Sequence, residues 1–139
     1  MTRTDDSTLD LYSRIDIMAS MIPDIAISIH HNSVANLANA QKTRGYLGLY
    51  SSDAGVMLAE AVADTVTNRL ARQKRPTSYQ MLAVARNHRF PSTLCEMSFI
   101  CNIEEFQWTV SPGNYKRSAD AVAEGVLEFY RRQAEYLRY

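Results

Sequence analysis

Residues 24–30 read DIAISIH, a short run in which isoleucine alternates with small or polar residues and which ends in a histidine. Its length, its β-branched content and Pro23 directly before it predict a strand. An apolar strand of this kind is usually buried on both faces, as in a sheet with helices on either side. The run therefore predicts a layered α/β fold.

The segments around this strand alternate between helical and strand patterns. Upstream, Ser7 is a predicted N-cap with Asp10 in capping-box position, and apolar residues then recur at helical spacing as far as Pro23. Downstream, the patterns predict strands over 45–50, 79–86 and 93–100, a helix from about 53 to 70, and a last helix opened by Ser111 and Pro112. No repeat or linker interrupts the 139 residues. We expect one α/β/α domain with a mixed or mostly parallel sheet.

The composition excludes several classes of protein. The formal net charge is zero, with 46% hydrophobic and 22% charged residues. The basic surplus that phosphate neutralisation requires is absent, so no nucleic-acid partner is expected. No apolar run has the length of a membrane span, and the polar start lacks a signal-peptide core. The two cysteines, Cys95 and Cys101, are too few for a disulfide framework and are interpreted as buried free thiols.

His30 ends the DIAISIH strand and is followed by polar residues. Sites in open α/β sheets form at the carboxyl ends of strands, so a histidine there is well placed to bind a metal. The alternative is a histidine that simply forms a hydrogen bond at a strand end. His31 points to the opposite face and is not expected to be a co-ligand. His88, between Arg86 and Arg89, is interpreted as a solvated loop residue.

Glu96 lies within TLCEMSFI, where every neighbour is apolar or small. A buried carboxylate is costly unless it is paired, hydrogen-bonded or close to a metal, and burial raises its pKa as a general base or acid requires. The alternative is a salt bridge to Arg3, Arg14 or Arg86. Ser98 is expected on the face of Glu96, and Asn102 closes the stretch. These residues alone indicate a possible metal hydrolase.

Together, these segments resemble the zinc-dependent N-acetylmuramoyl-L-alanine amidase family. The resemblance covers nearly the whole chain, in the correct order. Three motifs carry it, and they are the following: Thr2, Arg3, Asp6, Leu11 and Arg14 for "TR..D…L..R"; Ser28, Ile29, His30 and Asn32 for "SIH.N"; and Pro91, Leu94 and Glu96 to Asn102 for "P..L.E.GF..N".

The resemblance implies a zinc hydrolase of peptidoglycan. In the family, two histidines and one glutamate hold Zn²⁺, and a water takes the fourth position. Carried over, His30 is the second histidine ligand and Glu96 the general base/acid, with Arg14, Asn32, Ser98 and Asn102 supporting the site. The implied reaction is hydrolysis of the amide between N-acetylmuramic acid and L-alanine. The implied location is the cell envelope or the extracellular space.

The chain departs from the family pattern in two places. It begins at the "TR..D" motif, so neither the first zinc histidine of the "GHGG"-type motif nor the glutamate ligand has a match. We therefore expect a domain, residues 1–139, truncated on its N-terminal side, without the first strands and helix of the family, and prone to self-association. A non-catalytic remnant that lacks zinc and at most binds cell-wall fragments is the alternative. Ser98 stands where the family usually has glycine, and could form a hydrogen bond with Glu96.

Overall fold

The computed structural model describes residues 1–86 and 89–138, which contain a four-stranded sheet and five helices. The sheet has the order β1-β4-β2-β3, and it is mixed because β4 pairs parallel with β1 and antiparallel with β2. Helices lie on both sides of it, which confirms the predicted layered α/β class. The elements are, in chain order, α1 Leu11–Met21, β1 Ala26–Asn32, α2 Leu37–Ala40, β2 Leu47–Tyr50, α3 Asp53–Leu70, β3 Ser78–Tyr79, β4 Ser92–Phe99, α4 Ile103–Val110 and α5 Asn114–Tyr136.

The core lies between one face of the sheet and the helices α3 and α5. Leu58, Val62 and Val66 of α3 are buried against Cys95 and Met97 of β4 and against α5. The two helices approach closely at Gly125, where a Cβ atom would lie 2.7 Å from the Cα atom of Val62. Burial raises the pKa of the Cys95 thiol to about 12, so this thiol stays protonated. Cys101 is also free, but it is half-buried and not buried as expected.

The helix starts differ in part from those predicted. Asp10, not Ser7, is the N-cap of α1: its carboxylate accepts the backbone N–H groups of Tyr12 and Ser13 at 2.9 and 3.0 Å. The predicted capping box is therefore wrong, since Ser7 itself donates its N–H to the side chain of Asp5. The helix predicted from 53 to 70 is confirmed as α3, with Ser52 as its N-cap.

Two further predictions need correction. The strand expected over 79–86 is reduced to the two residues of β3. After β3 the backbone bonds to a side chain: the Ser51 hydroxyl donates to the Gln80 carbonyl and accepts the N–H of Leu82. The last helix was expected to open at Ser111, yet a separate helix, α4, already begins at Ile103. Its N-cap is Asn102, whose side chain accepts the backbone N–H groups of Glu104 and Glu105.

β1 is an edge strand rather than a strand buried on both faces. It pairs with β4 on one side, and within the described residues no strand pairs with its other side. Ile29 is accordingly 58% exposed, although Ile25 and Ile27 pack against the core. Such an edge is a template for pairing with another chain. Self-association through this edge stays a prediction.

No described helix is long and apolar enough to cross a bilayer.

A buried carboxylate, Glu105, holds the end of β4 to its surroundings. It accepts the backbone N–H groups of Gly45 and Phe99, each at 3.1 Å. Its Oε1 atom lies 2.5 Å from Nη2 of Arg72, and both side chains are about nine-tenths buried. The Arg72 guanidinium also stacks over the ring of Trp108, 4.3 Å from its centroid. One carboxylate thus connects the loop before β2, the end of β4 and the end of α3.

We predict that Glu105→Ala lowers the free energy of unfolding by about 3–5 kcal/mol, because it leaves the Arg72 charge buried without its partner. Glu104→Ala is the matched control, since Glu104 is the adjacent residue and its ion pair with Arg44 is exposed. We expect this control to cost less than about 1 kcal/mol. Urea denaturation followed by circular dichroism measures both values. Equal costs for the two variants would contradict the anchoring role of Glu105.

Candidate active site at the end of two parallel strands

The register of β1 and β4 brings the two main candidate residues side by side. His30 and Glu96 are direct partners in the parallel ladder, so their side chains lie on the same face of the sheet. On the other side of Glu96, Leu47 of β2 is its antiparallel partner. The core packs on the opposite face, where Cys95 and Met97 point. The structure therefore joins an imidazole and a carboxylate at the predicted position.

Glu96 is a half-buried carboxylate without a bonding partner for one of its oxygens. Its Oε2 atom is buried and has no hydrogen-bond partner among the described residues. Burial raises the pKa of this carboxyl above its ordinary value. The alternative of a salt bridge to Arg3, Arg14 or Arg86 is not found among the described residues, where the ion pairs involve other carboxylates. Glu96 thus has the environment of a proton acceptor or donor.

His30 is solvent-exposed and close to the positive charge of Arg14. Partial desolvation and, second, the Arg14 guanidinium lower the pKa of His30, which favours the neutral ring that can bind a metal. Arg14 itself, on α1, donates from its Nε atom to the carbonyl of Leu9 at 3.0 Å. Arg14 is therefore a neighbouring charge of His30 that is anchored to the residues before α1, and its supporting role in the site stays a prediction.

Ser98 does not serve Glu96, contrary to the expectation from strand alternation. Its hydroxyl lies 2.6 Å from Nδ1 of His31 and 3.0 Å from Oγ1 of Thr109. The physical reason is a bulge in β4: His30 pairs with Glu96 but Asn32 pairs with Phe99, so β4 has one extra residue there and its simple alternation of faces ends after Glu96. His31 follows His30 along the strand and points away from it, as predicted. Desolvation first, then the charges of Arg72 and His30, lower the pKa of His31.

Asn102 and Asn32 support the backbone around the site. Asn102 is fully buried, and besides capping α4 it donates from Nδ2 to the carbonyls of Gln41 and Thr43 at 2.9 and 3.2 Å. The Asn32 carbonyl accepts the N–H of Ile100 at 2.9 Å, and its side chain accepts the N–H of Ser33. Both asparagines therefore shape the loops that follow β1 and β4.

Sequence reasoning missed Glu105 and Thr109, which form the layer behind the site. A signal for α4 was available: Asn102 followed by two glutamates is a helix start with acidic residues in its first turn.

Within residues 1–86 and 89–138, no group of three or more His, Cys, Asp or Glu side chains could hold a metal ion. His88 lies outside the described residues.

Comparison with known proteins gives a consistent result. A family model described as N-acetylmuramoyl-L-alanine amidase (Amidase_3) matches residues 1–128. The chain is 27% identical over 130 residues to the YqiI protein of Bacillus subtilis, a match that covers 93% of this chain and 62% of that protein. It is 28% identical over 131 residues to a cell wall amidase of Bacillus anthracis, which covers 90% of this chain and 24% of that protein.

A solved structure matches the fold closely. The N-acetylmuramoyl-L-alanine amidase AmiC2 of Nostoc punctiforme superimposes with a TM-score of 0.85 at 28% sequence identity, over 94% of this chain and 71% of that chain. The chain spans 62% of the length of the first of the curated relatives and about a quarter of the second.

We predict that Glu96→Gln stabilises the protein in a pH-dependent way. The folded-state pKa of Glu96 is raised above the ordinary value of 4.5, so the folded protein binds this proton more tightly than the unfolded chain. The corresponding stability is present below pH 4.5 and is lost as the pH rises through the raised pKa. Glutamine does not ionise, so the stability difference in its favour should grow over this interval, to at most about 1 kcal/mol. Urea denaturation of both proteins at several values between about pH 4 and 8 measures this stability difference. A difference that stays flat or shrinks as the pH rises contradicts the prediction.

Proposed function

Because the chain belongs to the N-acetylmuramoyl-L-alanine amidase family, we propose that it takes part in hydrolysis of the amide between N-acetylmuramic acid and L-alanine in peptidoglycan. The observation that supports this most directly is the pairing of His30 with Glu96 on one face of the sheet. A neutral imidazole next to a carboxylate of raised pKa supplies a metal ligand and a proton carrier. The match to the cell wall amidase of Bacillus anthracis supports the same class of substrate.

We propose Zn²⁺ as the cofactor, with His30 as one of its ligands. The donor chemistry fits, because imidazole nitrogen is a preferred zinc ligand and His30 is accessible at the end of an edge strand. When bound, zinc supplies Lewis-acid polarisation of the amide carbonyl and a lowered pKa for water. Catalytic zinc takes three protein ligands. We propose that the other zinc ligands come from outside the described residues.

Glu96 would move the proton that the hydrolysis requires. Its carboxylate accepts a proton from the attacking water as the water oxygen bonds to the lactyl carbonyl carbon. It then returns that proton to the L-alanine nitrogen as the carbon–nitrogen bond breaks, which leaves a free stem peptide and an intact glycan. The environment of the carboxylate supports this role, because desolvation raises its pKa and Oε2 has no hydrogen-bond partner among the described residues to stabilise the ionised form.

A second candidate function is binding of cell-wall fragments without hydrolysis. The observation that favours it is that the described residues contain no group of three or more potential metal-ligating side chains. Under either function we propose the cell envelope or the extracellular space as the location, where the substrate is.

A stem-peptide release assay separates the two candidates. We predict that purified peptidoglycan treated with this chain and zinc yields free peptides with N-terminal L-alanine, and that Glu96→Gln lowers the rate by about 10²–10⁴-fold. Mass spectrometry of the soluble products measures release, and cosedimentation with peptidoglycan measures binding. The variant is expected to bind as the original chain does. Cosedimentation without any release by the original chain would favour the binding function instead.

We predict that His30→Ala weakens zinc binding by more than about tenfold, because it removes a ligand. Isothermal titration with zinc measures the apparent affinity without any need for turnover. Glu104→Ala is the control, since Glu104 is an exposed residue paired with Arg44 and is expected to leave the affinity unchanged. Equal zinc affinities for the original chain and His30→Ala would contradict the proposed ligand.

A further inference from the structure

Three side chains form a hydrogen-bonded series beside the candidate site. Nδ1 of His31 lies 2.6 Å from Oγ of Ser98, and Oγ of Ser98 lies 3.0 Å from Oγ1 of Thr109. Thr109, on α4, donates in turn to the backbone carbonyl of Glu105 at 2.9 Å. Ser98 is fully buried, whereas His31 is exposed. The series therefore runs from an exposed ring on the edge strand, through a buried hydroxyl, to the half-buried Thr109 on α4.

The number of available hydrogens fixes the direction of every bond in this series. Thr109 has one hydroxyl hydrogen, which it donates to the Glu105 carbonyl, so it must accept from Ser98. Ser98 then has no hydrogen left for His31 and must accept from it. The proton of the neutral His31 ring is therefore on Nδ1, and its Nε2 atom carries the lone pair.

The His31–Ser98 bond lies where the backbone ladder is interrupted. The regular pairing of β1 with β4 runs as far as His30 and resumes at Asn32, one register step out of phase. Beyond the bulge, the Ile100 N–H donates to the Asn32 carbonyl. Since β1 has no partner strand on its other side among the described residues, the side-chain bond links its exposed end to β4 and α4 at this step.

We propose that Ser98 is a positioning residue, which fixes the His31 ring and thereby holds His30 next to Glu96. His30 and His31 are consecutive, so the backbone orientation that aims one ring at Ser98 aims the other ring to the opposite face. That this placement of His30 serves catalysis rests on the proposed function, but the placement itself does not depend on it. A merely structural hydrogen bond would stabilise the fold without affecting the His30 ring.

Long-range ¹H–¹⁵N correlation spectra of ¹⁵N-histidine-labelled protein test the proposal, since they show which ring nitrogen carries the proton. In the original chain we expect the His31 proton on Nδ1. Ser98→Ala should abolish this preference, shift the His30 ring signals, and accelerate hydrogen exchange of the Ile100 amide about five- to tenfold, the effect of one lost hydrogen bond. Thr109→Val leaves the Ser98 hydrogen free for His31 Nδ1, so the ring proton should move to Nε2.

The matched control is Ser111→Ala at the C-cap of α4, which removes a hydroxyl whose one bond among the described residues is to the Gln107 carbonyl. It should leave both histidine signals unchanged. If Ser98→Ala does not fold, His31→Ala removes the same bond from the exposed side, and the same shift of His30 and faster exchange at Ile100 are expected.

The proposal is overturned if the His31 proton is on Nε2 in the original chain. It is also overturned if loss of the bond leaves the His30 signals and the Ile100 exchange unchanged. None of these measurements requires substrate or zinc. Failure to release stem peptides would therefore count against the proposed function alone.

Discussion

The parallel pairing of β1 with β4 is the constraint on which the site depends. His30 and Glu96 are far apart in the chain, and they meet only in this register. A slip by one residue would turn one of the two side chains to the opposite face. The core selects the register, because Ile27 and Cys95 pack on the face toward α3 and α5. The apolar face of the sheet thus determines which polar side chains meet on the other face.

The ion pair of Glu105 with Arg72 adds a second constraint, behind the strand ends. A buried pair of this kind contributes little net stability compared with apolar residues of the same volume, but it is costly to break. Its carboxylate also accepts the N–H groups of Gly45 and Phe99, and these two bonds restrict the placement of α4 further. The pair therefore fixes α4, and with it Thr109, relative to the end of β4.

Local patterns in the sequence predicted the α/β class, β1, β4 and α3. These elements are predictable because the spacing of apolar residues along a strand or helix can be read from neighbouring residues alone. The motifs of the family, combined with the rule that sites form at strand ends, also predicted that His30 and Glu96 belong together. Local patterns do not predict the bulge near Ser98, since an extra residue in β4 is defined only by its pairing with β1. For the same reason they did not reveal that β1 is an exposed edge, which is a property of the strand order.

Two glutamates near the end of β4 illustrate how environment separates structural from chemical roles. Glu105 is buried with an arginine and two backbone N–H groups around it, so its charge is compensated within the fold. Glu96 is half-buried, and its Oε2 atom has no hydrogen-bond partner among the described residues, so its ionised form is penalised. A neutral side chain would be better accommodated there. The proton transfer that we propose for Glu96 would account for a position that accepts this cost next to an accessible histidine.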